Sequence, residues 1–154
     1  MTTDFYSVAN GQYVDIENVA DNTFAKKMLG DGFAIDPADG TITTPVDGTV
    51  STVFPTKHAI GFKTDSGLEI LLHMDIDTVE LNGAPFEVLV QTGQPVHHGE
   101  VVAKADLAAI KAAGKATTMM VIITNMHAVN FMKFMKLTTI RHLATFTGNY
   151  GLFN

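Results

Sequence analysis

The chain contains no cysteine. That absence removes disulfides, cysteine-ligated zinc, iron–sulfur clusters and thiol nucleophiles together. Basic runs are missing as well: ten Lys and Arg are scattered among sixteen Asp and Glu, for a formal net charge of −6. Nucleic acid needs clustered cations along its phosphates, so it is not an expected partner. An acidic surface suits a basic protein partner instead. Long apolar runs are also missing. The opening "MTTDFYSVANGQ" is polar, and no apolar stretch approaches the ~20 residues that a membrane span requires. The expectation is a cytoplasmic protein with no direct membrane insertion.

What is present reads as one globular domain spanning residues 1–154, with 46% hydrophobic and 17% charged residues. Turn signals recur at Asn10-Gly11, Asp31-Gly32, Asp39-Gly40, Asp47-Gly48, Ser66-Gly67 and Asn82-Gly83. Short runs rich in Val, Ile, Thr and Phe lie between them, such as "TVSTVF", "AIGFK", "LEILLH" and "MMVIIT". This spacing predicts an all-β fold, an antiparallel sandwich or barrel. Short helical turns are expected at "NTFAKKML", with Asn22 as its cap, and at "DLAAIKAAGK", with Asp106 as N-cap and Gly114 near its end. "HAVNFMKFMK" reads as a further helical turn or a strand. The methionines of "MM" and "FMKFMK" read as core filler. "TTPVDGTVSTVF" and "QTGQPVHHGEVVAKAD" each place a Pro-containing turn and a Gly before a Val-rich strand, which hints at internal duplication. Such hairpins recur in barrel-sandwich hybrids, including lipoyl and biotinyl carriers. The modifiable lysine tip of those carriers is absent here, so only the architecture is shared.

Chemistry concentrates in "HAIGFKTDSGLEILLH", which begins at His58 and ends at His73. Read as a tight hairpin about Asp65-Ser66, it pairs Thr64 with Gly67 and, at its far end, His58 with His73. Directly opposed Cβ atoms lie ~4.5–5.5 Å apart, so two imidazoles there would share one small ligand. A one-residue slip would put them on opposite faces. Leu68, Ile70 and Leu72 alternate on the core side, leaving Ile60 and Leu71 with the histidines. An apolar face carrying two imidazoles suits a shallow docking site better than a sealed core. His97, His98, His127 and His142 read as solvated or hydrogen-bonded surface residues. Two chemistries fit the pair. One is zinc, with Asp75 or Asp77 as a third ligand. The other is nucleophilic attack on phosphorus by one imidazole. The second imidazole, or a hydroxyl such as that of Thr56, would then bond the phosphoryl oxygens.

At these residues the chain resembles the glucose-class IIA component of the bacterial phosphoenolpyruvate-dependent sugar phosphotransferase system. The similar text includes "GQYVDIENVADNTFAKKMLGDGFAIDP", "TPVDGTVSTVFPTKHAIGFKTDSGLEILLHMDIDTVELNG", "GQPVHHGEVVAKADLAAIKAAGK" and "VIITN", over roughly residues 5–126. The resemblance implies an antiparallel sandwich of the duplicated-hybrid type. It implies that His73 accepts a phosphoryl group from the phosphocarrier HPr and passes it to a cysteine on a IIB domain. His58 would be the supporting imidazole, and Thr56 would orient it. Asp31 and Asp77 match acidic positions that receive HPr, and Phe33, Phe54 and Leu71 match an apolar docking rim. The resemblance also implies a phosphotransferase that needs no cofactor; from the residues alone, regulatory or adventitious zinc between His58 and His73 stays as the metal alternative. Its place would be beside the IIB and IIC components of a membrane permease. Three departures stand out. Asp75 replaces the usual Gly, adding negative charge two residues after His73. Lys57 replaces the usual Asn, supplying a compensating cation. The text after "VIITN" matches poorly. The competing readings are a phosphorylation-dependent regulator on the same fold and a zinc peptidase of related architecture. The peptidase class carries an "HLH" motif that is absent here.

Overall fold

The computed structural model describes residues 2–74, 84–126, 131–132 and 145–153. Thirteen strands are described. In chain order they are β1 Thr2–Tyr6, β2 Gly11–Asp15, β3 Asp31–Pro37, β4 Thr41–Thr43, β5 Gly48–Val53, β6 Ala59–Lys63, β7 Glu69–Met74, β8 Phe86–Val88, β9 Pro95–Val96, β10 Val101–Ala105, β11 Met119–Ile123, β12 Phe131–Met132 and β13 Thr145–Phe153. Seven of them form one sheet in the order β2-β3-β11-β7-β6-β5-β9. Two three-stranded sheets, β4-β10-β8 and β1-β13-β12, complete the antiparallel all-β architecture.

Alternation along the central strands decides what each face holds. On β7, Ile70, Leu72 and Met74 enter the main core, while Leu71 and His73 are half-buried on the other side. On β11, Met119, Val121 and Ile123 join the same core, and Met120 and Ile122 point the opposite way. All five β11 residues are buried, so the middle of the large sheet is apolar on both faces. The main core also takes Phe5, Ile42, Phe86 and Val102 from the two small sheets, which makes the fold a sandwich. A second, smaller cluster on the reverse face gathers Ile16, Val19, Phe24, Ala34, Met120 and Ile122, with Leu71 packed against it. The "MM" methionines are core filler, each fully buried. Only residues 131–132 of the "FMKFMK" segment are described, and His127 and His142 lie outside the described residues.

The helices are short. α1, Asn22–Ala25, is a single turn, and Lys27 ends the segment in the left-handed region at φ 58°. The amides of Phe24 and Ala25 donate to the Asp21 carbonyl, which starts the helix one residue before the expected cap. α2, Leu107–Ala112, follows the expected pattern. The Asp106 side chain accepts from the Ala109 amide at 3.0 Å, and Gly114 takes φ 76° just beyond the end. The two similar Pro-Gly segments lie antiparallel to each other, with Thr43 opposite Val101 and Gly48 opposite Val96.

Two sequence-based expectations are corrected. The β6–β7 hairpin pairs Ala59, not His58, with His73, and Ile60 with Leu72. Its loop has three residues. The Thr64 amide donates to the Leu68 carbonyl at 3.0 Å, and Gly67 takes φ 93°. A glycine available for the left-handed position favours this three-residue loop. A two-residue turn about Asp65-Ser66 would require positive φ at non-glycine residues. The shift turns Ile60 into the main core, where it is fully buried, and away from the histidine face. Phe33 is likewise fully buried, packed on Phe5 and Tyr13, and forms no rim. On β3 it alternates with Gly32 and Ala34, so the small residues face the second cluster and the large ones fill the core.

Candidate active site

The two histidines meet although the register separates them. β5 and β6 are joined by a turn in which the Lys57 amide donates to the Phe54 carbonyl at 2.8 Å and the Phe54 amide to the Ala59 carbonyl at 3.1 Å. Pro55 occupies the second turn position, where its fixed φ fits. Lys57 adopts φ 61°. His58 therefore stands at the exit of a turn, where strand alternation does not set the direction of its side chain. Its carbonyl accepts from the Met74 amide at 2.6 Å, which ties it to the end of β7. The His58 and His73 rings lie 5.0 Å apart at 74°, edge to face.

Each ring is held by neighbours. The Thr56 hydroxyl and His58 Nδ1 share a short hydrogen bond. Phe54 packs edge-on against His58 at 5.7 Å. Phe24 of α1 packs against His73 at 4.9 Å. His73 Nδ1 is fully buried. Burial pushes the His58 imidazole below its ordinary 6.5, so it is largely neutral at neutral pH. Leu71 and Phe54 also line a groove of about 360 Å³ with Ser51, Thr52, Gly61 and Thr124, and neither histidine borders it. Gly61 keeps that groove open, since a Cβ there would meet Ser51 Oγ at 2.8 Å and Thr52 Cγ2 at 2.9 Å.

The other expected site residues divide. Thr56, Phe54 and Leu71 lie with the histidines, and Phe33 does not. Asp31 is three positions along β3 from Ala34, which is level with Met120 and His73. Its carboxylate pairs with Lys27 at 3.3 Å, and Lys27 also reaches Glu17 at 3.1 Å. The Lys27 ammonium is held above its usual range by the Glu17 hydrogen bond first and by Asp31 besides. Asp75 and Asp77 lie outside the described residues, so the described part of the site brings two imidazoles together and no third metal ligand. Phe24 carried no role in the sequence reading; only the apolar residue inside "NTFAKKML" pointed to it. Met28 and Leu29, just after α1, are exposed at 70% and 44%. His97 and His98 are exposed, as expected, but gather around Asp47.

A family model described as "phosphoenolpyruvate-dependent sugar phosphotransferase system, EIIA 1" matches residues 3–129. The chain belongs to this EIIA 1 family. Among similar EIIA-containing proteins, the glucose-specific EIICBA component of Streptococcus pneumoniae is 52% identical over 136 residues, 88% of this chain and 19% of that protein. The glucose-specific EIIA component of Staphylococcus aureus is 47% identical over 120 residues, covering 78% of this chain and 72% of the other. The solved structure of glucose permease IIA from Mycoplasma capricolum superposes with a TM-score of 0.77 at 32% identity, over 96% of this chain and 97% of that one. The chain thus spans about a fifth of the length of the EIICBA relative it matches. EIIA membership and the antiparallel β-sandwich agree with the architecture described above. No described helix is long and apolar enough to cross a membrane.

Proposed function

We propose that this EIIA chain carries a phosphoryl group on His73 Nε2, taking it from phospho-HPr and giving it to a cysteine on a IIB component. The observation that carries this reading is the edge-to-face His58–His73 pair at 5.0 Å, with both Nδ1 atoms sequestered. In the first step the His73 Nε2 lone pair attacks phosphorus. The N–P bond forms as the bond to the donor's leaving atom breaks, and the donor keeps that electron pair. His58, held by Thr56, turns its Nε2–H toward a phosphoryl oxygen and steadies the charge there. A neutral donor in a half-buried pocket does this without losing its own proton. In the second step a thiolate displaces His73, restoring a neutral imidazole. The half-buried faces of Leu71 and Phe54 give a partner protein an apolar footing, and Asp31 and Asp77 offer acidic contacts to a basic one. The EIICBA relative is named for C, B and A components together, which supports IIB and IIC as the downstream partners. The reading places the chain on the cytoplasmic side, beside such a permease.

Intact mass after incubation with phosphoenolpyruvate, enzyme I and HPr tests the proposal. The native chain gains one acid-labile phosphoryl group, and His73→Gln gains none. His58→Ala still accepts the group but passes it on about a hundredfold more slowly, the cost of one lost charge-stabilising donor. An unmodified native chain, or a modified His73→Gln, overturns the assignment.

A further inference from the structure

At the other end of the β5–β6 hairpin stands a second cluster of ligating groups that phosphoryl transfer does not use. Six residues of β5 separate Asp47 from the Phe54–His58 turn, about 20 Å of extended chain. Asp47 Oδ1 lies 3.0 Å from His98 Nδ1 and 3.2 Å from His97 Nδ1. One ligand atom from each of the three residues fits within a 4.8 Å span. We propose that Asp47, His97 and His98 form a binding site for a borderline divalent metal ion such as zinc, separate from the histidine pair.

Three features support it. The first is spacing. Zinc bonds of about 2.1 Å to nitrogen and oxygen in a tetrahedron place neighbouring donors about 3.4 Å apart. The 3.0 and 3.2 Å separations are close to two edges of such a tetrahedron. The second is backbone arrangement. Consecutive side chains on a strand point to opposite faces. Here His97 and His98 occupy a turn, closed by the Glu100 amide donating to the His97 carbonyl at 3.0 Å, with Gly99 at φ 87°. The turn brings the two rings to one side, 3.9 Å apart. The antiparallel pairing of Gly48 with Val96 carries Asp47 to the same place. The third is support from outside the ligands. Tyr6 stacks on His98 at 4.5 Å and 16°, which fixes that ring plane. The His98 amide donates to Asp47 Oδ1 at 2.6 Å and orients the carboxylate. The Glu100 carboxylate, which accepts from the His97 amide at 3.1 Å, adds negative charge nearby. Two imidazoles and one carboxylate suit zinc, nickel or copper better than calcium or magnesium. Three protein ligands leave a fourth position for water or for a residue of a partner.

Titration with zinc chloride in a non-coordinating buffer tests the site, with binding read by calorimetry. Four full-length chains are compared: native, His58→Gln/His73→Gln, His97→Ala/His98→Ala and Asp47→Asn. Zinc binding should survive in His58→Gln/His73→Gln and weaken at least tenfold in both His97→Ala/His98→Ala and Asp47→Asn. Thermal unfolding gives a second readout. Zinc at a hundred times its dissociation constant shifts the folding equilibrium about a hundredfold. The melting temperature should therefore rise in the native chain and rise clearly less in Asp47→Asn. Native-like zinc affinity in His97→Ala/His98→Ala, or loss of all zinc binding in His58→Gln/His73→Gln, would overturn the proposal.

Discussion

At the residue scale the site depends on two side chains whose directions are set by different means. His73 is aimed by strand alternation, with Leu71 on the same side and Leu72 opposite. His58 is aimed by a turn whose last residues include Lys57 at φ 61°. A non-glycine side chain in that region costs about 1–2 kcal/mol, and Asn tolerates it better than Lys. The exposed Lys57 therefore carries strain that an Asn at this position would relieve. Lys57→Asn should raise stability by up to about 1 kcal/mol in urea unfolding, with the His58–His73 contact unchanged. A second prediction follows from the depressed His58 imidazole. Between its folded value and the ordinary 6.5, the unfolded chain binds more protons, so stability falls as pH falls through that window. Denaturation midpoints between pH 7 and pH 5 should drop for the native chain. They should drop less for His58→Gln.

At the scale of elements, the class of the fold was legible and one register was not. Turn dipeptides and Val-rich runs announced the strands, and the Asp106 cap with Gly114 announced α2. The β6–β7 pairing departs from the expected two-residue turn about Asp65-Ser66, which set Gly67 opposite Thr64. Gly67 instead supplies the left-handed residue of a three-residue loop, which shifts every pair by one. The histidines meet nonetheless, since His58 lies just outside the ladder, in a turn whose shape hydropathy alternation does not report. Phe33 was misplaced for a related reason. Its assignment to the rim came from resemblance, whereas the small Gly32 and Ala34 on either side of it mark the face that lies near the site. Nothing lies within 4 Å of a Cβ built on Gly67, so Gly67→Ala isolates the conformational cost. That cost should be about 1 kcal/mol, or roughly 2–4 °C in melting temperature for a domain of this size. An unchanged melting temperature would contradict the three-residue loop.

At the scale of the whole molecule, one sheet serves two purposes. Its inner face closes the core against the two smaller sheets. Its outer face holds a thinner apolar layer, from Ile16 to Phe24, against which His73 rests. The imidazole proposed to react thus sits on a β-strand at an apolar surface, where a docking partner would exclude water from the phosphoryl group. The net charge of −6 favours approach by a basic donor. The central claim is that this platform presents His73 Nε2, and no other nitrogen, to phosphorus. Nitrogen-15 NMR of histidine-labelled chain, phosphorylated through HPr, tests it directly. The account predicts a phosphorus coupling on His73 Nε2, with His58 unmodified and its imidazole pKa raised by the neighbouring phosphoryl charge. Phosphorus on His73 Nδ1, or on His58, would contradict it.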